Sequence, residues 1–284
     1  MTKTKLDTQA IGLDAGLGLI RWLTGREDMH YGLWDGIDVC AANLGPAQAA
    51  YTERLFSLLP KGPLRILDIG GGAGETAGKL IALGHRVEIV VPSPLLAERC
   101  RTNAPGAVVH EAKFEEANVE GPFDLCLFSE SFQYIPLDQG LSKCLTLLGP
   151  EGRIIVSDCF RNEGYTVDKT RAKVGGGHRI GAFRETLEGL PLKVVHESDI
   201  TEAVAPSVEI EQALFNVVGG AVERIDRELS EVKPAQRWLL NRALRLVMSE
   251  RKRERLRVRL MEQTRSAEAF CEHNRYLMMR LERA

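Results

Sequence analysis

The sequence has no uninterrupted apolar run of the roughly 20 residues a membrane-spanning helix needs. Its first stretch, MTKTKLDTQAIGLDAGLGLI, lacks the continuous apolar core of an export signal. The expectation is a protein neither exported nor membrane-spanning. Cysteine is sparse and unpatterned: Cys40, Cys100, Cys126, Cys144, Cys159 and Cys271 form no CxxC pair. They read as reduced, mostly buried thiols of a cytoplasmic protein. No HxH, HxxxH or HxxE pattern joins His30, His178, Glu130 and Asp158 into a metal site, so no metal is expected. Repeats and low-complexity segments are also absent.

Net charge is scarce too. With 37 basic against 39 acidic residues the chain is at −2, too small a value to point to nucleic acid or a charged membrane. The total hides an asymmetry, since residues 221 to 284 hold 16 Lys and Arg against 10 Asp and Glu. Much of the excess lies in RKRERLRVRL (251–260), where Glu250 and Glu254 break the basic run and a solvated helix face accounts for it.

What the 284 residues do contain, at 44% hydrophobic, is a strand and helix alternation. LRILDI, HRVEIVV, GAVVHEA, FDLCLFS and GRIIVSDCF are short apolar runs separated by helical patterns. Near-continuous apolar strands between helices predict a doubly wound, mostly parallel α/β sheet covered on both faces. Residues 1–60 read as a helical cap segment and 61–207 as the α/β domain. Residues 208–284 read as a helical extension, either a lid over substrate or the interface of a homodimer.

The chemistry is expected in RILDIGGGAGETA (65–77). A strand here runs into Gly70, Gly71, Gly72 and Gly74 and then into a helix, at the place where open α/β sheets bind ligands. Glycines permit a tight turn and close approach to the backbone, and the helix that follows directs free N–H groups at the ligand. The spacing D-x-G-x-G-x-G differs from the dinucleotide pattern, and Asp68 can accept a hydrogen bond from an ammonium group. This turn resembles motif I of class I S-adenosylmethionine-dependent methyltransferases. FDLCLFSESFQYI (123–135), LLGPEGRIIVSD (147–158), MHYGLWDG (29–36) and DITEAVAPS (199–207) are similar to further segments of that family.

The resemblance implies S-adenosylmethionine as cofactor, with Tyr31 and Trp34 covering it. Asp68 and the four glycines would hold it, together with Ser93, Phe114, Glu115 and Ser129. Glu130 and Tyr134, just past the fourth strand, and His178, in the loop VGGGHRIGAF, are the catalytic candidates, and Asp158 is expected to orient His178. The pattern is departed from at Val91, where the family carries an acid for the ribose; Glu88 lies three residues earlier. The acceptor implied is a small or lipid-like molecule. A relative that binds the cofactor without methylating, or an RNA methyltransferase drawing on the basic tail, are the alternatives. The fourth-strand motif is not the Asn/Asp-Pro-Pro-Tyr type expected for planar amino groups, and no added RNA-binding module is visible.

Overall fold

A computed structural model describes residues 8–165, 174–261 and 265–284. Two helices, α1 (Thr8–Thr24) and α2 (Leu44–Phe56), precede the sheet. The chain then alternates through β1 (Arg65–Ile69), α3 (Glu75–Ala82), β2 (Arg86–Val90), α4 (Pro94–Asn103), β3 (Val108–His110) and β4 (Phe123–Ser129). It continues with α5 (Leu137–Leu147), β5 (Leu148–Arg161), α6 (Ile180–Glu188) and β6 (Leu192–Asp199). Next come α7 (Thr201–Val204), α8 (Pro206–Val232), α9 (Pro234–Val247), α10 (Glu250–Met261), α11 (Ala267–His273) and β7 (Asn274–Arg283).

Local chemistry sets several of these limits. Ser93 caps α4 by accepting from the Leu96 N–H at 3.4 Å, and Pro94 follows at the first helical position. Pro234 stops α8 and opens α9. β1 and β4 are apolar on both faces because helices cover both sides of the sheet.

Among the described residues seven strands form one sheet in the order β3-β2-β1-β4-β5-β7-β6, with β7 antiparallel to both its neighbours. Strand order reverses between β1 and β4, so their carboxyl ends open a crevice there. Two apolar layers, one led by Tyr51, Ile66, Leu125 and Ile155 and the other by Leu67, Phe128, Phe132 and Phe183, sandwich the sheet.

One element differs from expectation. NRYLMMRLER, read as the end of the helical stretch, is the strand β7. Leu, Met, Arg and Glu are all good helix formers, but Tyr276, Leu277, Met278, Met279 and Leu281 are buried in register between β5 and β6. Burial in a central slot outweighs intrinsic preference. The helical stretch therefore leaves the sheet after β6 and returns to it. Among the described residues no helix is long and apolar enough to cross a membrane.

Candidate functional site

The crevice holds a cavity of about 540 Å³, within the range of small-molecule sites. Its floor is the turn after β1. Gly72 has φ +55 and a side chain there would open toward the cavity, its nearest neighbour being Met29 Sδ at 3.6 Å. Gly74, at φ +89, serves packing instead: a Cβ would lie 2.8 Å from the Cα of Cys100 in α4. Gly70 is crowded by Ser131, whose hydroxyl donates to the Ile69 carbonyl and so ties the ends of β1 and β4 together.

Asp68 lies at the base of this turn, 1% exposed, and its Oδ2 has no hydrogen-bond partner. Burial pushes its carboxyl up to about 7. A buried carboxylate oxygen lacking a donor costs free energy unless a ligand supplies one. Asp68 lines the cavity, so a cationic or N–H-bearing ligand would relieve it.

The N-terminal segment is laced over the turn. Glu27 accepts from Arg99 Nε and Asn103 Nδ2, both at 2.8 Å, and its N–H donates to Glu75. Asp28 accepts from Lys79 Nζ at 2.8 Å; burial opposes its ionisation, but His30 and Lys79 hold the carboxyl down at about 2. These ties set Met29 and His30 on the cavity wall. Tyr31 and Trp34, expected to cover the cofactor, are turned elsewhere. The Tyr31 ring packs near Phe270 and Tyr276, and Trp34 donates its indole N–H to Ser207 at 2.8 Å. Neither lines the cavity: Trp34 is buried with its indole N–H satisfied by Ser207, and the Tyr31 ring packs against the core.

Of the other expected contacts, Ser93, Phe114, Glu115 and Ser129 all line the cavity. The Phe114 ring stands edge-on to Phe128 with the Lys143 ammonium 5.1 Å from its centre. Val91 is buried, and Glu88 is engaged by Arg65 at 2.7 Å and His110 at 2.8 Å. No carboxylate therefore stands at the end of β2.

Glu130 follows β4 in a left-handed conformation, φ 58, uncommon for a residue with a side chain. Its Oε1 accepts from the Tyr31 N–H and from the Tyr276 hydroxyl, both at 2.7 Å. Tyr276 in turn meets Tyr51 at 2.8 Å, and Tyr51 meets Ser157 at 2.6 Å. Burial raises the Glu130 carboxyl, against the pull of His30 and of these two donors. Tyr134 is exposed on the rim. His178 lies off the cavity lining, its Nε2 donating to the Phe132 and Ile135 carbonyls at 3.1 and 2.9 Å. It holds the 3-10 turn Phe132–Tyr134 in place. Asp158 does not meet His178: its two oxygens accept from the Gln133 N–H and Nε2, each at 3.0 Å, and burial raises it to about 7.

Sequence reasoning missed Met29 and Ser131, and read Tyr276 as part of an apolar helical tail rather than as a partner of Glu130. Met29 sits inside the aromatic segment that was read through its rings, and Ser131 follows the fourth strand directly. Nothing near Tyr276 in the sequence signals its contact with Glu130, 146 positions away.

A family profile described as a methyltransferase domain matches residues 66–152. An uncharacterized methyltransferase of Bacillus cytotoxicus is 26% identical over 144 residues, 49% of this chain and 68% of that protein. A tRNA 5-carboxymethoxyuridine methyltransferase of Escherichia coli K12 is 27% identical over 46% of this chain. A ubiquinone biosynthesis O-methyltransferase of Bradyrhizobium diazoefficiens is 32% identical over 39%. The matches cover 47% and 46% of these last two proteins, about half their length. Among solved structures, the cyclopropane synthase MmaA2 of Mycobacterium tuberculosis aligns with TM-score 0.67 at 16% identity, over 92% of each chain. A geranyl diphosphate C-methyltransferase of Streptomyces coelicolor, solved with S-adenosyl-L-homocysteine, aligns at 0.62 with 16% identity, over 96% of this chain and 92% of that one. The [4+2]-cyclase SpnF aligns at 0.65 with 16% identity, over 97% and 94%. At these identities the structural likeness is one of fold.

Proposed function

We propose that this chain, whose residues 66–152 match a methyltransferase domain, is a class I S-adenosylmethionine-dependent methyltransferase acting on a small or lipid-like acceptor held against Glu130 and Tyr134. The observation that carries the cofactor assignment is the unpartnered Oδ2 of Asp68, buried at the base of the glycine turn. It fits the ammonium of an amino-acid-bearing cofactor better than a phosphate. Gly72 would let the cofactor lie against the backbone, Met29 would cover it, and Phe114 and Glu115 would flank its base. Ser93 lines the same wall, and its hydroxyl proton remains available to another acceptor.

Bound S-adenosylmethionine supplies an electrophilic methyl whose leaving thioether is neutral. The protein's work is then chiefly positioning. Ser131 and the Asp158–Gln133 pair fix the loop after β4, and His178 fixes the turn that carries Tyr134. Glu130, anchored through Oε1, is a stronger base than an ordinary carboxylate and can take a proton from an acceptor N–H or O–H. The six free thiols suit the cytoplasm, where we place the protein. Radiolabelled methyl transfer from S-adenosylmethionine to a small-molecule fraction of cell extract tests the reading. Labelled product is expected with the intact protein and much less with Asp68→Asn at the same cofactor concentration; product confined to the RNA fraction refutes a small acceptor.

A second reading has one specific support. With Val91 buried and Glu88 bound to Arg65 and His110, no carboxylate holds a ribose at β2. A protein that retains the cofactor or its product as a scaffold while rearranging another substrate would tolerate that. It predicts tight binding of S-adenosylhomocysteine and no label transferred to any fraction.

A further inference from the structure

Along α2 the residues Ala47, Tyr51 and Leu55 recur at four-residue steps with Gln48 and Thr52 beside them, so this stripe faces inward and Tyr51 is wholly buried. His30 stacks on the Tyr51 ring, 4.4 Å between ring centres, and so fixes the direction of its hydroxyl. β4 and β5 pair Ser129 with Ser157 in register, and both hydroxyls reach the Tyr51 oxygen, Ser157 at 2.6 Å and Ser129 at 3.4 Å. From β7, the Tyr276 oxygen meets it at 2.8 Å.

We propose that Tyr51 is a positioning residue for Glu130: it links a hydrogen-bond chain that runs one way, from Ser157 through Tyr51 and Tyr276 to Glu130 Oε1, and leaves Oε2 as the oxygen that takes the acceptor's proton. The proposal rests on the reading of Glu130 as the proton acceptor.

Counting protons gives the chain its direction. A phenol has one to donate. Tyr276 spends its own on Glu130 Oε1 at 2.7 Å, so toward Tyr51 it accepts. Tyr51 has then spent its proton as well and accepts from Ser157. Burial and the charge of Glu130 push both phenols above their ordinary value, so both keep their protons and remain donors at neutral pH. Each accepted bond polarises the next O–H and makes it a stronger donor. The far end of the chain therefore helps to hold Glu130 as a carboxylate against the burial that opposes it. Oε1 is filled by Tyr276 and the Tyr31 N–H, whereas Oε2 accepts from none of the described residues, and Glu130 lines the cavity. The other titratable groups facing Glu130 are His30 and Tyr31 from the segment before α2, Asp158 and Cys159 from β5, and Tyr134 from the turn after β4. None of them belongs to the chain.

Carbon-13 labelling of the glutamate carboxyls reads Glu130 apart from Asp158, whose carboxyl stands at about 7, and Glu130→Gln identifies the resonance. In the ligand-free full chain Tyr51→Phe is expected to raise the Glu130 midpoint by roughly 0.1 to 0.7 pH unit, the 10–30% that one cooperative neighbour adds to a hydrogen bond with a charged group. Tyr276→Phe removes the whole bond and is expected to raise it by roughly 1 to 2 units. Adding Tyr51→Phe to Tyr276→Phe is expected to raise it no further, because Tyr51 then has no path to the carboxylate. The rising limb of the pH–rate profile for labelled methyl transfer should follow the Tyr51→Phe titration while S-adenosylmethionine affinity stays within a few-fold. A midpoint unmoved by Tyr51→Phe, or moved as far in the Tyr276→Phe background as in the wild type, overturns the chain. Ser157→Ala is the second probe should Tyr51→Phe not fold, with an upward shift expected and a fixed midpoint overturning the proposal. Shifted midpoints in a protein that transfers no label refute the methylating reading, on which the role of Oε2 depends, and leave the chain itself standing.

Discussion

Replacing Asp68 with Asn probes the cofactor assignment most directly, because the carboxyl's environment sets the size and sign of two separate effects. Its pKa stands at about 7 in the folded protein against an ordinary 3.8, with burial as the cause. Below about pH 4 the folded and unfolded chains are both protonated there and the site costs nothing. Between about pH 4 and 7 the unfolded chain has released a proton that the folded chain still holds, so stability falls as pH rises. Above pH 7 the cost levels off at about 4 kcal/mol, three pK units at about 1.4 kcal/mol each. The Asn variant lacks this slope. Thermal melts of the ligand-free proteins at pH 5 and pH 8 are therefore expected to diverge, the wild type losing roughly 5 to 10 °C relative to the variant, because about two of the pK units, about 2.7 kcal/mol, fall within that window. A bound ammonium reverses the balance by stabilising the carboxylate. Calorimetry at pH 6 in buffers of different ionisation enthalpy should show about one proton released on binding S-adenosylmethionine. Loss of the charge-assisted hydrogen bond, about 1.5–3 kcal/mol, should weaken binding by the variant roughly 10- to 150-fold. Melting curves that run parallel at all pH values, or binding without proton release, would refute the reasoning.

The last two glycines of the turn should separate stability from binding: Gly74→Ala forces a Cβ onto the Cys100 backbone and is expected to lower the melting temperature. Gly72→Val projects toward the cavity and is expected to abolish S-adenosylmethionine binding in calorimetry while the protein still melts cooperatively. Glu130→Gln should reduce kcat by about 10²- to 10⁴-fold in the labelled-methyl assay, with cofactor affinity changed only a few-fold. Tyr276→Phe removes one of the two donors that favour the Glu130 carboxylate, so the rising limb of the pH–rate profile should move to higher pH. His178→Ala frees two carbonyls of the turn bearing Tyr134; turnover should fall more than cofactor affinity, and equal losses in both would assign the residue to general stability.

The parts of this molecule that were legible in sequence are those whose physics is local. The turn after β1 announced itself because apolar strand, bare glycines and helix follow one another within 13 residues, and each step has a backbone reason. β4 ends on Ser129 and delivers Glu130 and Tyr134 to the crevice for the same kind of reason. What escaped is held by contacts far apart in the chain. β7 has the composition of a helix and is a strand only because β5 and β6 leave a buried slot between them. The aromatic segment was read as a cap through its rings, but those turn inward to Ser207 and Tyr276 while Met29 takes the cavity wall. Asp158 looked like a partner for His178 and instead clamps Gln133, because the turn Phe132–Tyr134 brings that amide over β5 and sets His178 beneath its own carbonyls. These long-range choices converge on Glu130 and the loop after β4, whereas the glycine turn is one continuous stretch. It follows that a single substitution at β7, remote in sequence from every recognisable motif, should retune Glu130 while leaving the glycine turn's ligand affinity intact.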